Sequence, residues 1–304
     1  MPAGVITTGS HPKALWPGVH DFWGQVYNAH ATEYTDLYDQ EDSSQAYEED
    51  VQITGFGLAP VKPQGQALSY DSEVQGPVTR YTHIAYALGY IVTYEELKFN
   101  LYETVSMRRA RANAFSVNQT IENVAAFLYN NAFVTTFFTT GDGVALISTA
   151  HVNTTGGTYS NELSPSADLS EVSLEDICIQ IMGAQTDRGL LFSLMPKSLH
   201  APRQEWFNAN RILKSVLQSD TTSNNINVLK ATNAFPGGIK VNHYFTSASS
   251  WFVRTDCPNG MQMFWAERPN LSQDNDFDTK NAKAASYMLF SQGCTDPRSL
   301  FASQ

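Results

Sequence analysis

The sequence predicts an α+β fold organised around one very long helix, on three observations. A capping box opens a helical apolar pattern of about 40 residues; two strands flanking a Gly/Pro-rich tip precede it; and strands return after an alternating helix–strand segment.

The first 35 residues carry Gly4, Gly9, Pro12, Pro17 and Gly18 around Trp16, Phe22, Trp23 and Tyr27. Punctuation this dense disfavours a long regular element, yet the aromatics want burial. Two readings satisfy both: an extended arm lying on other subunits, or a short helix over about residues 19–32 packed on its own domain. From Glu33 to Asp50 run Glu33, Asp36, Asp39, Glu41, Asp42, Glu48, Glu49 and Asp50, with no basic residue. Such runs form solvated faces or linkers; docking or metal binding is the sharper alternative.

Residues 51–92 read as a hairpin. Val51 to Thr54 leads into Gly55, Gly57, Pro60, Pro63 and Gly65, and Val78 to Leu88 returns, rich in β-branched and aromatic residues. A long hairpin with polar positions on both strands is hard to bury in its own domain and points toward a neighbour. Thr93 to Glu96 then forms the capping box, with Val92 and Leu97 placed for a hydrophobic staple. Leu97, Leu101, Val105, Ala112 and Phe115, then Val117, Ile121, Val124, Leu128 and Ala132 follow at helical spacing, with a phase shift near Ser116. At 1.5 Å rise this spans roughly 60 Å. Residues 135–170 read as short strands and loops. Ser173 is expected to cap a helix bearing Leu174, Ile177, Cys178, Ile181 and Met182 on one face. A buried strand at 190–195, a helix from Pro202 toward Leu217, and strands at 239–245, 251–254, 261–265 and 284–290 complete the pattern.

Hydrophobic residues make up 42% of the 304 and charged residues 16%, a low charge content that suits a surface largely in contact with protein. The net charge of −11 excludes a dedicated nucleic-acid binder, since neutralising phosphates needs clustered Lys and Arg; it leaves room for a container. Cys178, Cys257 and Cys294 are scattered singly, with no CxxC pair, and are expected to be packing residues. No apolar run approaches the roughly 20 residues that span a bilayer.

Three stretches carry a family resemblance: ALGYIVTYEE from Ala87 to Glu96, LMPKSL from Leu194 to Leu199, and GIKVN from Gly238 to Asn242 ahead of the Trp251 strand. With the order of elements, the chain from about residue 20 onward resembles the major capsid proteins of tailed bacteriophages, the Hong Kong 97-type fold, and is most like the Mu-like head subunits. The resemblance implies an N-terminal arm over 1–45 and an extended β-hairpin loop over 46–92. It implies a peripheral domain of 93–171 and 256–304 holding the spine helix 93–132, and an axial α/β domain over 172–255. It further implies a subunit that self-assembles into pentamers and hexamers of an icosahedral head enclosing double-stranded DNA without sequence-specific binding. Expected partners are copies of the chain, a separate scaffolding protein, a portal and a decoration protein, with no cofactor, no metal and no membrane. The expected location is the virion, after synthesis in the bacterial host cytoplasm. An encapsulin-like compartment shell is the alternative on the same fold.

Arg108, Arg109 and Arg111 stand on the expected spine helix. They read as a solvated or internally paired face, as partners for acids of an adjacent subunit, or as contacts to packaged DNA. With Lys62 at the hairpin tip, Glu48, Glu49 and Asp50 at its base, and Trp16 and Trp23 in the arm, they form the candidate intersubunit contacts. Family members that cross-link covalently use a Lys, an Asn and a carboxylate; nothing identifies the latter two beside Lys62. GxSxG, HExxH and GxxxxGK[ST] are absent, and the seven histidines are dispersed, so a hydrolase would need a triad assembled from distant residues. The run Asp274-Asn-Asp276-Phe-Asp278 lacks the Gly and Glu of a calcium loop.

Overall fold

In a computed structural model the structure describes residues 12–98, 107–218, 225–276, 278 and 280–304. In chain order the elements are α1 (Pro12–Ala29), α2 (Tyr34–Leu37), β1 (Asp39–Asp42), β2 (Tyr47–Ile53), β3 (Gln75–Thr82), β4 (Ile84–Val92), α3 (Tyr94–Lys98) and α4 (Met107–Asn130). There follow β5 (His151–Val152), β6 (Thr158–Tyr159), α5 (Glu171–Met182), β7 (Pro196–Pro202), α6 (Trp206–Lys214) and α7 (Val228–Ala231). The last are β8 (Ile239–Asn242), β9 (Trp251–Thr255), β10 (Met261–Asn275), β11 (Ala282–Cys294) and β12 (Leu300–Ser303).

The first sheet has the order β1-β10-β11-β4. Its spine is the long antiparallel pair β10–β11, in register from Met261↔Cys294 to Asn275↔Ala282. The register shifts between Trp265 and Asn270, where Pro269 can donate no ladder hydrogen bond. Helix α4 lies against this sheet through Ala110, Ala114, Val117, Ile121, Ala125 and Leu128, all buried. The three- and four-residue spacing sets them on one stripe, and the alanines allow close approach.

The second sheet has the order β12-β9-β7-β8, with α5 and α6 packed on a core of Leu174, Ile177, Ile181, Leu199, Ile212, Trp251, Val253 and Phe301. Strand β9 is buried on both faces: Trp251 and Val253 enter this second core, while Phe252 enters the first. Period-two alternation thus makes one strand the wall between two cores.

Several sequence expectations are corrected. Of the two readings of the N-terminal segment the structure has the helical one, with residues 12–29 helical and packed on α4 rather than extended, and the helix starts earlier than residue 19. The acidic stretch is no free linker but folds into α2, β1 and β2. The hairpin's return strand breaks at His83, so that β3 pairs with β2 while β4 pairs with β11. Helix α4 runs unbroken through Ser116, and residues 99–106 of the expected spine lie outside the described residues. The cap of α5 is Ser170, with Ser173 closing the box at the third position rather than opening the helix. Residues 190–195 form no strand of either sheet, the strand being β7 just after them. Strand β12, beyond the last strand expected, fills the free edge of β9, with Phe301 in the second core and Leu300 and Ala302 in the first.

Tyr81 roots the β2–β3 hairpin in the body. Its ring packs edge-on to Phe264 and its hydroxyl hydrogen-bonds Thr295 Oγ1 at 2.6 Å. A Cβ on Gly293 would lie 2.7 Å from that ring. Gly293→Ala should therefore lower unfolding stability by about 1–3 kcal/mol, read by urea denaturation; an unchanged midpoint would show that the ring moves freely.

Candidate assembly surface

Helix α4 holds the candidate arginines in three different settings. Arg109 grips Glu96 bidentately, with both N···O distances 2.8 Å, and donates to the Ile91 carbonyl at 2.9 Å. That guanidinium holds the Glu96 carboxyl below its ordinary range. Glu96 also closes the expected capping box, accepting from Thr93 N at 3.2 Å while its own N–H donates to Thr93 Oγ1 at 3.4 Å. Arg109 is thus engaged within its own chain, across the gap to α3. Arg111 lies over the Phe22 ring at 5.5 Å, and Arg108 is exposed.

The two candidate tryptophans differ. Trp23 is 4% exposed, stacked on Tyr27 and donating from Nε1 to Asn113 Oδ1 at 2.9 Å, so it packs in the chain's own core. An indole with its N–H satisfied on the spine has no reason to leave it. The side chain of Trp16 lies outside the described residues.

The acidic stretch closes on bases that lie far away in sequence. Glu33 accepts from His243 N at 2.8 Å and pairs with its Nδ1 at 2.5 Å; Asp36 pairs with Lys240 at 3.0 Å. Asp39 meets Arg254 at 2.8 Å, Asp42 meets Arg268 at 2.8 Å, and Glu49 meets Arg80 at 3.7 Å. Only the Arg254 side chain among these is deeply buried, so the others contribute little each. Glu48 accepts from Ser43 Oγ at 2.5 Å, and Asp50 accepts from the Val51 N–H. All three candidate acids at 48–50 therefore belong to the hairpin strand β2.

Glu122 on α4 is a site that sequence reasoning missed. Its side chain is buried, and its two oxygens accept from Glu33 N at 2.7 Å and Tyr34 N at 3.0 Å, capping α2 from another helix. Burial pushes its carboxyl up to about 7, with the charges of Glu33 and Asp36 adding to the rise, against the two N–H donors that favour the anion. A glutamate at one position of an amphipathic helix gave no sign of this, since its partners are backbone groups.

The hairpin's outer part behaves otherwise. Residues 54–74 form no helix or strand, and their apolar side chains face outward: Leu58 is 82% exposed, Val61 92% and Tyr70 90%, with Phe56, Leu68 and Val74 also exposed. Lys62 stands exposed among them. Ile53, Val51 and Val78 continue the apolar face down both strands, ending at Tyr47, over whose ring Arg80 sits at 3.7 Å. So large an apolar surface on one projecting limb is what a docking element looks like.

Among the described residues no group of three His, Cys, Asp or Glu side chains is arranged to hold a metal, and no helix is long and apolar enough to cross a membrane. The most deeply buried histidine–carboxylate pair among the described residues, His151 Nδ1 with Asp142 Oδ2 at 2.8 Å, is sealed in the interior. The ring's other nitrogen faces Asn161 Oδ1 at 3.1 Å, and Asn161 Nδ2 binds the carbonyls of Leu146, Pro297 and Leu300. It is a structural network joining this region to the C-terminal segment, and the Thr140 hydroxyl within it is taken up by Asp142 and the Val144 carbonyl.

A model of the phage capsid protein family matches residues 77–303. Among solved structures, the fold is similar to the virus-like particle of Pyrococcus furiosus, with a TM-score of 0.58 at 10% identity, covering 95% of this chain and 98% of that one. It is similar to the capsid of cyanophage P-SCSP1u, with a TM-score of 0.54 at 11% identity over 90% of this chain and 87% of that one. The capsid of the Myoviridae phage XM1 gives a TM-score of 0.51 at 12% identity, over 88% of each chain. No curated protein matches the sequence.

Glu122 makes a pH prediction. Its pKa of about 7 in the fold lies above its ordinary 4.5, so between these values the folded chain binds more protons than the unfolded one. Stability should rise as pH falls from about 7 toward 4.5, by on the order of 2 kcal/mol from this group, and Glu122→Gln should flatten that slope. Denaturant midpoints across this range check it; an equal slope in both proteins would exclude Glu122 as its source.

Proposed function

Since the chain belongs to the phage capsid protein family, and is a structural capsid subunit rather than an enzyme, we propose that it self-assembles into the pentamers and hexamers of an icosahedral head around double-stranded DNA. The single observation that carries the mechanism is the hairpin: residues 54–74 display apolar side chains that their own subunit leaves uncovered. Laid on a neighbour, that surface gains the burial it lacks in the free chain. Many moderate contacts of this kind, repeated around closed symmetry, hold a shell that no single interface needs to hold alone.

In this reading residues 1–45 are the arm, which in its described part holds α1, α2 and β1, and 46–92 the extended loop. Residues 93–171 with 256–304 make the peripheral domain, and 172–255 the axial domain, which gathers around the five-fold and six-fold axes. Arg108 and Arg111, exposed on α4, are the arginines available to acids of an adjacent subunit; Arg109 is held by Glu96. A net charge of −11 suits a wall that DNA slides past rather than sticks to. A separate scaffolding protein and a portal are the proposed partners of such a head, with a decoration protein an optional addition, in the cytoplasm of a bacterial host.

A second reading on the same fold is an encapsulin-like shell holding protein cargo, which the contents of purified particles separate from the head. Nucleic acid within purified particles supports the head; a co-purifying enzyme supports the compartment.

Deleting residues 55–68 should abolish particles in negative-stain electron microscopy while leaving a folded subunit. Shells of normal size from the deletion variant would show that the hairpin is not the docking limb.

A further inference from the structure

The hairpin is held at its root and left loose toward its tip. Below, Tyr81 is buried on Gly293, and Pro77 lies so close to Gly141 that a Cβ there would come within 2.8 Å. Above, two polar ties run from the hairpin to the body. Gln52 Nε2 donates to the Thr295 carbonyl at 2.8 Å. Arg188, on a turn that Gly189 completes at φ 75°, donates from Nη2 to the Ser72 carbonyl and approaches Asp71 with Nη1 at 3.7 Å.

Asp71 makes that grip reach the whole tip. One of its oxygens accepts from Gly57 N at 2.8 Å and the other from Ser72 N at 2.8 Å, so the outgoing and returning limbs meet at one carboxylate. Under the ties lies a cavity of about 430 Å³, lined by Gln52, Ile53 and Thr54 on the hairpin side and Asp187, Phe192 and Asn259 on the other. This space opens to solvent, so the limb here is held across it by polar ties rather than by packing. The Asp71 and Arg188 side chains are 46% and 22% exposed, which makes their pair weak and exchangeable.

We propose that Arg188 is a latch that holds the hairpin of the unassembled subunit over this cavity, and that assembly exchanges its grip on Asp71 and Ser72 for contacts to a second copy of the chain. The inference rests on the hairpin-docking reading above and adds its control: the free subunit holds its exposed adhesive limb in one position, and a neighbour releases it. Gln52 and Tyr81 stay as the pivot.

The test uses the full-length chain, held below the concentration at which it assembles and then raised above it. Arg188→Ala should speed amide hydrogen exchange in residues 54–74 by about tenfold with the remainder unchanged. The lag before light scattering rises should shorten several-fold. Unchanged exchange at 54–74 would overturn the latch. Faster exchange with an unchanged or longer lag would overturn it too, making the tie inert or part of the interface. If Arg188→Ala raises exchange throughout the chain, Arg188→Gln, which keeps the side chain's reach without its charge, is read in the same way. The 55–68 deletion separates the two ideas: shells from that variant retire the docking reading itself, whatever Arg188→Ala does.

Discussion

The fold depends on an aromatic joint at the C-terminal end of α4. Tyr129 stacks on Phe245 at 5.5 Å and meets Phe252 and Tyr38 edge-on at 5.1 and 5.9 Å. Its hydroxyl donates to the Leu37 carbonyl at 2.9 Å, and the Tyr38 hydroxyl donates back to Ala125 at 2.7 Å on the same helix. Spine, acidic segment and second sheet therefore share one desolvated cluster in which every phenol is satisfied. Such a cluster fixes direction as well as position, because a ring that slipped would bury an unpaired hydroxyl.

Charges follow that joint. Arg254, one strand position beyond Val253, is buried beside it and held by Asp39 and the Asp36 carbonyl. Glu122 meets the other end of the same short helix through two backbone N–H groups. The stretch from 33 to 42 is thereby clamped from the spine on one side and from the second sheet on the other. Its acidity reflects complementarity to Lys240, His243, Arg254 and Arg268, each contributed by a different turn or strand.

A body clamped so firmly can carry a limb that is not. The hairpin is rooted by one tyrosine in a slot left open by a glycine, and beyond that root its apolar side chains wait for another surface. Rigid body and under-packed limb suit a subunit that must meet neighbours in more than one geometry, since the limb adjusts while the two cores stay intact.

The sequence by itself determined the α+β class, the capping box at Thr93 and Glu96, the spine stripe from Val117 to Leu128, the strands at 251 and 261, and the Gly/Pro-rich tip. All of these are signals of local period or of turn chemistry, which a chain carries wherever it folds. Tertiary structure alone decided where Trp23 goes, which bases the acidic stretch meets, that β3 and β4 part at His83, and that β12 joins β9. Those outcomes turn on partners far along the chain, 90 residues off for Trp23 and Asn113, or on backbone groups of another element, and no spacing along the chain encodes them. The hairpin's exposed tip lies between the two: its composition marked it as hard to bury, and only the packed body shows that nothing in its own subunit covers it.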